Sequence, residues 1–428
     1  MAVEQLTQLQ EENQRLRKAV DELSILNDLA RVISSTMNLD AVIESVVKRS
    51  VRAIHGQQGM ITLVDEQAPT EMKTLIRAQN STSDQQQFHL NQNILGWMLI
   101  NKKPLLSNDL QNDSRFSGVR AEGDFRSLLC VPLLVKNRLI GLLAVFNKAE
   151  TGEFTEDDKR LLSIIAAQSG QILENARLYE QEKSLLIMQE EVNLASKIQR
   201  ELLPKAAPSV PGYEIAGRSI PAQTVGGDYF DFIPIDEHQI ALSLGDVSGK
   251  GLPASLLMAN LQATLRGQTL VNTSAKECIA KSNKLLHQST SSEKFVTLFY
   301  GILNRETHQL QYCNAGHDPP FLIAEGKEPV RLTAGGIVLS IMESFPFGED
   351  AIQLLPGDLL VIYSDGVPEA MNATKEQFGE ERLCELLIQN RTHSATEIID
   401  KVVAAVKHHA GSYPQSDDIT LVVVKRNP

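Results

Sequence analysis

"GDVSGKGLPASLLMA", residues 245–259, decides how the C-terminal half of this chain is read. An apolar run enters a glycine-rich turn, the turn contains Gly-Lys, and a helix follows. A phosphate-cradling P-loop requires G-x-x-x-x-G-K-[ST]. Here Gly245 and Gly249 enclose three residues, and Gly251 stands after Lys250 where the magnesium-binding hydroxyl would be. The dinucleotide fingerprint G-x-G-x-x-G is absent as well. What is left is Asp246 on a tight turn at a strand end. Pro253 suits the first turn of the helix through "ASLLMANLQATLR", which Gly267 is expected to close. Asp246 therefore reads as a metal ligand.

Working outward, other aspartates recur in the same kind of setting. "TVGGDYFDFI" carries Asp228 and Asp231, "LLVIYSDGVPEA" carries Asp365, and "SDDITLVVV" carries Asp417 and Asp418. Each sits at the edge of a Val, Ile, Leu or Tyr run that reads as a strand. A single Asp-Gly at a strand end is ordinarily a turn and nothing more. Acids from four distant places in one domain can stay ionised together only if cations offset their repulsion. Carboxylate oxygens of this kind select Mg²⁺ or Mn²⁺. The histidines supply no H-x-x-x-H pair for zinc, and His317 in "NAGHDPP" reads as a structural loop residue in preference to a general acid. Lys250 is either a phosphate contact or a solvated lysine.

A formal charge of −12 excludes a nucleic-acid polyanion as the main partner. Cys130, Cys278, Cys313 and Cys384 are scattered, which points to reduced thiols in a cytoplasmic protein. The most apolar stretch, "SLLCVPLLVKNRLIGLLAVF" (127–146), is interrupted by Lys136, Asn137 and Arg138, so it reads as a hairpin and not as a membrane span. Near the start, Leu6, Asn13 and Val20 share one heptad position and Leu9, Leu16 and Leu23 another. Leucine with one asparagine in the seam is the pattern of a parallel two-stranded coiled coil. A second heptad, Leu178, Leu185, Val192 with Met188, Ala195, Leu202, has Gln181 and Gln199 at seam positions and stops before Pro204. Between the heptads, Thr155 caps a helix that begins with Glu156 to Asp158.

Two resemblances follow. "ILGWMLINKKPLLSNDLQNDSRF", "SLLCVPLLVKNRLIGLLAVFNK" and "FTEDDKRLL" resemble a GAF sensor domain, which implies a PAS-like antiparallel sheet with flanking helices. Asn147-Lys148, Phe154 and Asp158 match part of the motif of cyclic-nucleotide-binding members, but Lys159 replaces its glutamate. The GAF ligand is unknown. "IQRELLP", "PAQTVGGDYFD", "GDVSGKGLPASLLMA", "NAGHDPP", "PGDLLVIYSDGVPEA", "EQFG" and "DDITLVVV", in that order, resemble the bacterial branch of the PPM metal-dependent Ser/Thr phosphatases. That branch contains the stage II sporulation phosphatase and those of sigma-factor cascades. The resemblance implies an α-β-β-α sandwich holding two Mn²⁺ or Mg²⁺ ions. Asp228, a bridging Asp246 and the Val247 carbonyl would hold the ions, with Asp365 and Asp417 completing the second site. Asp418 would be a support or an alternate ligand. It further implies that a water activated by both ions attacks phosphorus in line, so that no side chain is the nucleophile. Eukaryotic relatives carry a histidine and a phosphate-binding arginine where this chain has Ser248 and Gln223.

The expected architecture is therefore an α+β multidomain chain. It comprises a coiled coil (1–24), a GAF domain (25–172), a helical coiled-coil linker (173–204) and a PPM phosphatase domain (205–428). The expected activity is hydrolysis of phosphoserine or phosphothreonine on a partner protein, under control of the GAF domain. By resemblance that partner is a STAS-type anti-sigma-factor antagonist. A homodimer is expected, with no nucleic-acid or membrane partner. The rivals are a catalytically silent scaffold and a nucleotide phosphodiesterase.

Overall fold

The computed structural model describes residue 12 and residues 38–64, 72–78, 92–113, 115, 126–149, 152–271, 274–291 and 293–428. The N-terminal heptad, including Leu6, Leu9, Asn13, Leu16, Val20 and Leu23, lies outside the described residues. Contacts divide the chain into two compact units, Met1–Ile187 and Met188–Pro428.

The first unit opens with helix α1 (Leu39–Ala53), whose N-cap Asn38 accepts from the Ala41 N–H. Its apolar side, with Val42, Val46 and Val47, repeats at helical spacing and is buried. Strands β1 (Gly56–Val64) and β2 (Met72–Ala78), helix α2 (Gln92–Asn101), and strands β3 (Leu105–Ser107), β4 (Leu128–Val135) and β5 (Arg138–Lys148) follow. They form one antiparallel sheet in the order β2-β1-β5-β4-β3. Lys136 and Asn137, at φ 46° and 70°, make the β4–β5 turn, as the sequence predicts. α1 and the start of the long helix α3 (Glu156–Leu202) cover one sheet face, while α2 covers the other. Thr155 and Asp158 cap α3 reciprocally: each backbone N–H donates to the other's side chain, at 2.9 and 3.2 Å. Lys148 Nζ lies 2.8 Å from both Asp158 oxygens, so this pair fastens the end of β5 to the first turn of α3.

α3 is one unbroken helix of 47 residues, where the sequence reading divides a closing helix from a linker at 172/173. It ends two residues before Pro204.

The second unit contains two facing sheets. Strands β6 (Tyr213–Ile220), β7 (Tyr229–Pro234) and β8 (Gln239–Val247) lead into helices α4 (Leu252–Thr269) and α5 (Ala275–Ser289). Then come β9 (Val296–Asn304), β10 (Gln309–Ala315), β11 (Phe321–Ile323), β12 (Val330–Arg331), β13 (Gly335–Gly336), β14 (Asp350–Gln353) and β15 (Leu359–Tyr363). Helices α6 (Glu380–Gln389) and α7 (Ala395–Ala410) precede the last strand, β16 (Ile419–Arg426). One sheet runs β13-β10-β9-β8-β7, with β14 also on β10, and the other runs β12-β11-β15-β16-β6. Their inner faces bury Phe230, Leu242, Phe299, Leu360, Ile362 and Val422 against one another. α4 and α5 cover the outer face of the first sheet, and α6 and α7 that of the second. This is the expected α-β-β-α order. Gly267 does not close α4, which runs on to Thr269 because its buried side continues through Leu265 to Thr269.

No described helix is long and apolar enough to cross a membrane. The four cysteines are free thiols.

Candidate active site

Antiparallel register brings the aspartates of the first sheet together. Tyr229 of β7 pairs with Gly245 of β8, so Asp228, one residue before β7, falls beside Asp246. On the second sheet Tyr363 of β15 pairs with Leu421 of β16, which places Asp365 and Asp417–Asp418 at one common edge. Asp418 then joins the two sheets. Its carboxylate accepts from the N–H groups of Ala222 (2.8 Å), Gly227 (2.7 Å) and Asp228 (3.3 Å). Gly226 and Gly227 permit that approach: a Cβ on Gly226 would lie 2.2 Å from Asp418 Oδ2. A Cβ on Gly227 would lie 2.9 Å from the Val247 carbonyl and 3.3 Å from Asp246 Oδ1, the cradle in which two expected ligands meet.

The electrostatics show how close these groups are. Asp228 is buried, and its Oδ2 has no hydrogen-bond partner. Burial first, then the charges of Asp246 and Asp418, hold its carboxyl well above the usual range. Asp246 is pushed up to about 7 by burial and by Asp365, Asp417 and Asp418. Asp365 is pushed up to about 6 by burial and by Asp417, Glu369 and Asp318. Among the described residues no three acidic, histidine or cysteine side chains are already drawn into one metal-holding group. Two of the carboxylates have other partners. Asp418 is committed to backbone N–H groups, and Asp417 Oδ2 is held at 2.8 Å by Lys250 Nζ. An orphaned buried carboxylate oxygen, a cradle kept open by Gly227 and an all-oxygen donor set fit a pair of hard divalent cations.

Several residues in and beside the quoted motifs have structural work instead. Asp231 does not reach the cluster. It is fully buried, accepts from Tyr229 Oη at 2.8 Å, and is bound by Arg266 Nε and Nη2 at 2.7 and 3.1 Å. His317 Nε2 faces the Tyr363 carbonyl at 3.0 Å; a carbonyl can only accept, so Nε2 carries the proton and Nδ1 accepts from Thr297 Oγ1 at 2.8 Å. Burial lowers this imidazole to about 4. Ser248 Oγ accepts from the Phe295 N–H, and Ser364 Oγ donates to the Asp418 carbonyl while accepting from the Thr420 N–H.

One contact beside the site escapes the sequence reading. Gln199, placed at a coiled-coil seam by the heptad, turns into its own unit. Its Nε2 donates to the Gly226 carbonyl at 2.7 Å and its Oε1 accepts from the Gly226 N–H at 3.0 Å. The last turns of α3 thereby grip the peptide two residues before Asp228. Gln199, Arg200, Gln223 and Asp228 line one cleft of about 480 Å³.

Comparison with known proteins finds a family match for each part of the chain. Residues 236–427 match the Stage II sporulation protein E (SpoIIE) family, and residues 36–174 match the GAF domain family. The chain carries a GAF domain and a SpoIIE-type PPM phosphatase domain. Protein IcfG of Synechocystis is 30% identical over 264 residues, covering 55% of this chain and 42% of IcfG. Phosphoserine phosphatase RsbU of Bacillus subtilis is 28% identical over 253 residues, covering 58% of this chain and 75% of RsbU. Among solved structures, the SiaA-PP2C domain of Pseudomonas aeruginosa superposes on 56% of this chain and 97% of its own length, with a TM-score of 0.50 at 19% identity. At that identity the likeness speaks for the fold of the phosphatase domain alone. The chain spans less than half the length of IcfG and three quarters of RsbU.

Proposed function

We propose that this chain is a metal-dependent protein phosphatase that removes phosphate from serine or threonine of a partner protein. The observation that carries the reading is the convergence of Asp228, Asp246, Asp365 and Asp417 at one end of the sandwich, with a buried Asp228 oxygen left without a partner. Asp228, Asp246 and the Val247 carbonyl would hold one ion, and Asp365 and Asp417 the second, with Asp246 between them. Asp418 fixes the Gly227–Asp228 backbone, which sets the first ligand in place. The chemistry such a site would gain from bound Mn²⁺ or Mg²⁺ is a water made more acidic and positive charge to offset that of the phosphoryl oxygens. Ser248, Ser364 and His317 are tied into the fold, which supports a reaction without a side-chain nucleophile.

The relative RsbU is named a phosphoserine phosphatase, which supports phosphoserine as the substrate here. The resemblance to the sigma-factor branch favours a STAS-type anti-sigma-factor antagonist as the protein that carries it. We read the four segments 1–24, 25–172, 173–204 and 205–428 as coiled coil, GAF sensor, signalling helix and phosphatase, in a cytoplasmic homodimer. Leu178, Leu185 and Met188 of α3, which share the heptad face, are all more than half exposed, an apolar stripe of the kind a second copy covers. A monomer mass in light scattering would remove the dimer from this reading. The Gln199–Gly226 clamp is the route by which a change in α3 would reach Asp228.

The functional test offers a phosphoserine protein and a cyclic nucleotide to the full chain with Mn²⁺. Release of phosphate from the protein alone is expected. Hydrolysis of the cyclic nucleotide with the phosphoprotein untouched would replace the phosphatase by the phosphodiesterase reading.

A further inference from the structure

Lys250 sits where the phosphate-loop reading of the sequence fails, and its position in the structure gives it another task. It lies between Gly249 and Gly251, at φ 100° and 71°, in the turn that carries Asp246 into α4. Its ammonium crosses to the other sheet's edge, 2.6 Å from the Ser416 carbonyl and 2.8 Å from Asp417 Oδ2. The other oxygen of Asp417, Oδ1, accepts from the Asp418 N–H at 3.0 Å. Oδ2, which carries no backbone hydrogen bond, is the oxygen that Asp417 offers most openly to an ion, and it is the one that Lys250 holds. The lysine side chain is half exposed, so it can leave for water without opening the core.

We propose that Lys250 is a tethered cation that competes for the second metal position. In the metal-free chain it neutralises Asp417 beside the repelling carboxylates of Asp246 and Asp365, and it is displaced when an ion takes Oδ2. The inference rests on the two-metal reading above. Its physical content is that a covalently attached charge at high local concentration sets a threshold for loading the second ion. Lys294, whose Nζ lies 3.4 Å from the Ser248 carbonyl over the same turn, supplies a control for the bare loss of a positive charge.

Calorimetric titration of Mn²⁺ into the full chain tests this directly, comparing wild type with Lys250→Met, Lys250→Gln and Lys294→Met. Both Lys250 variants are expected to bind the weaker equivalent about two- to fivefold more tightly, the scale of one partly exposed ion pair. Lys294→Met should stay near wild type, and Asp417→Asn should abolish the gain from Lys250→Met. Equal affinities in wild type and the Lys250 variants, weaker binding in those variants, or the same gain in Lys294→Met would overturn the competition while leaving the metal site standing. No Mn²⁺ binding by any of the proteins would overturn the metal reading and this inference together.

Discussion

The proposed chemistry rests on Asp228, Asp246 and Asp365, whose negative charge the fold makes expensive. Burial and mutual repulsion raise all three carboxyls, Asp246 to about 7 and Asp365 to about 6, from an ordinary value of 3.8. An acid whose pKa is higher in the folded state binds more protons folded than unfolded over the interval between the two values. Stability then falls as pH rises through that interval. Without metal, the phosphatase domain should therefore lose stability from about pH 4 to about pH 7 on account of these groups. Added Mn²⁺ should raise the melting temperature more at pH 7.5 than at pH 5, and Asp246→Asn should flatten the metal-free profile. A metal-free melting temperature that rises between pH 5 and pH 7.5 as steeply in wild type as in Asp246→Asn would contradict this. Asp246 and Asp365 are legible in the sequence because Gly-Asp and Asp-Gly at strand ends leave few other uses for a carboxylate. Asp231, noted in the sequence beside Asp228 but not counted among the ligands, has its partner hidden from any local reading, because Arg266 lies 35 residues on.

At the scale of elements, α3 is the part that most exceeds what its sequence declares. A heptad period tells which residues share a helix face, and it is silent on what covers that face. Leu185 and Met188 are exposed as a seam requires, while Gln199, in the same register, is spent on Gly226. The clamp makes a prediction. Gln199→Ala removes two buried hydrogen bonds from the Gly226 peptide and loosens the loop that ends in Asp228. The Mn²⁺ concentration for half-maximal activity should rise about tenfold, the equivalent of one or two net hydrogen bonds. Activity at saturating metal should change far less. A Gln199→Ala variant with unaltered metal dependence would show that α3 does not reach the site by this contact. Strands β7, β8, β15 and β16 are legible from their apolar runs, whereas their register is not, and register is what sets Asp228 beside Asp246.

For the whole molecule, the GAF and phosphatase folds are both foreshadowed by ordered motifs, because a sandwich repeats its strand-edge signals and a hairpin its turn signals. The partial Asn-Lys…Phe…Asp motif in the GAF domain serves in the structure as a fastening, Lys148 to Asp158, between β5 and α3. It says nothing in favour of a nucleotide. The account stands or falls on metal-dependent phosphate-ester hydrolysis by the phosphatase domain. The direct measurement is p-nitrophenyl phosphate hydrolysis by the full chain with Mn²⁺, with Mg²⁺ and with EDTA, wild type beside Asp246→Asn. The account predicts turnover with metal, none with EDTA, and a loss of at least about a hundredfold in the variant. Turnover that persists in EDTA, or that Asp246→Asn retains, would contradict it.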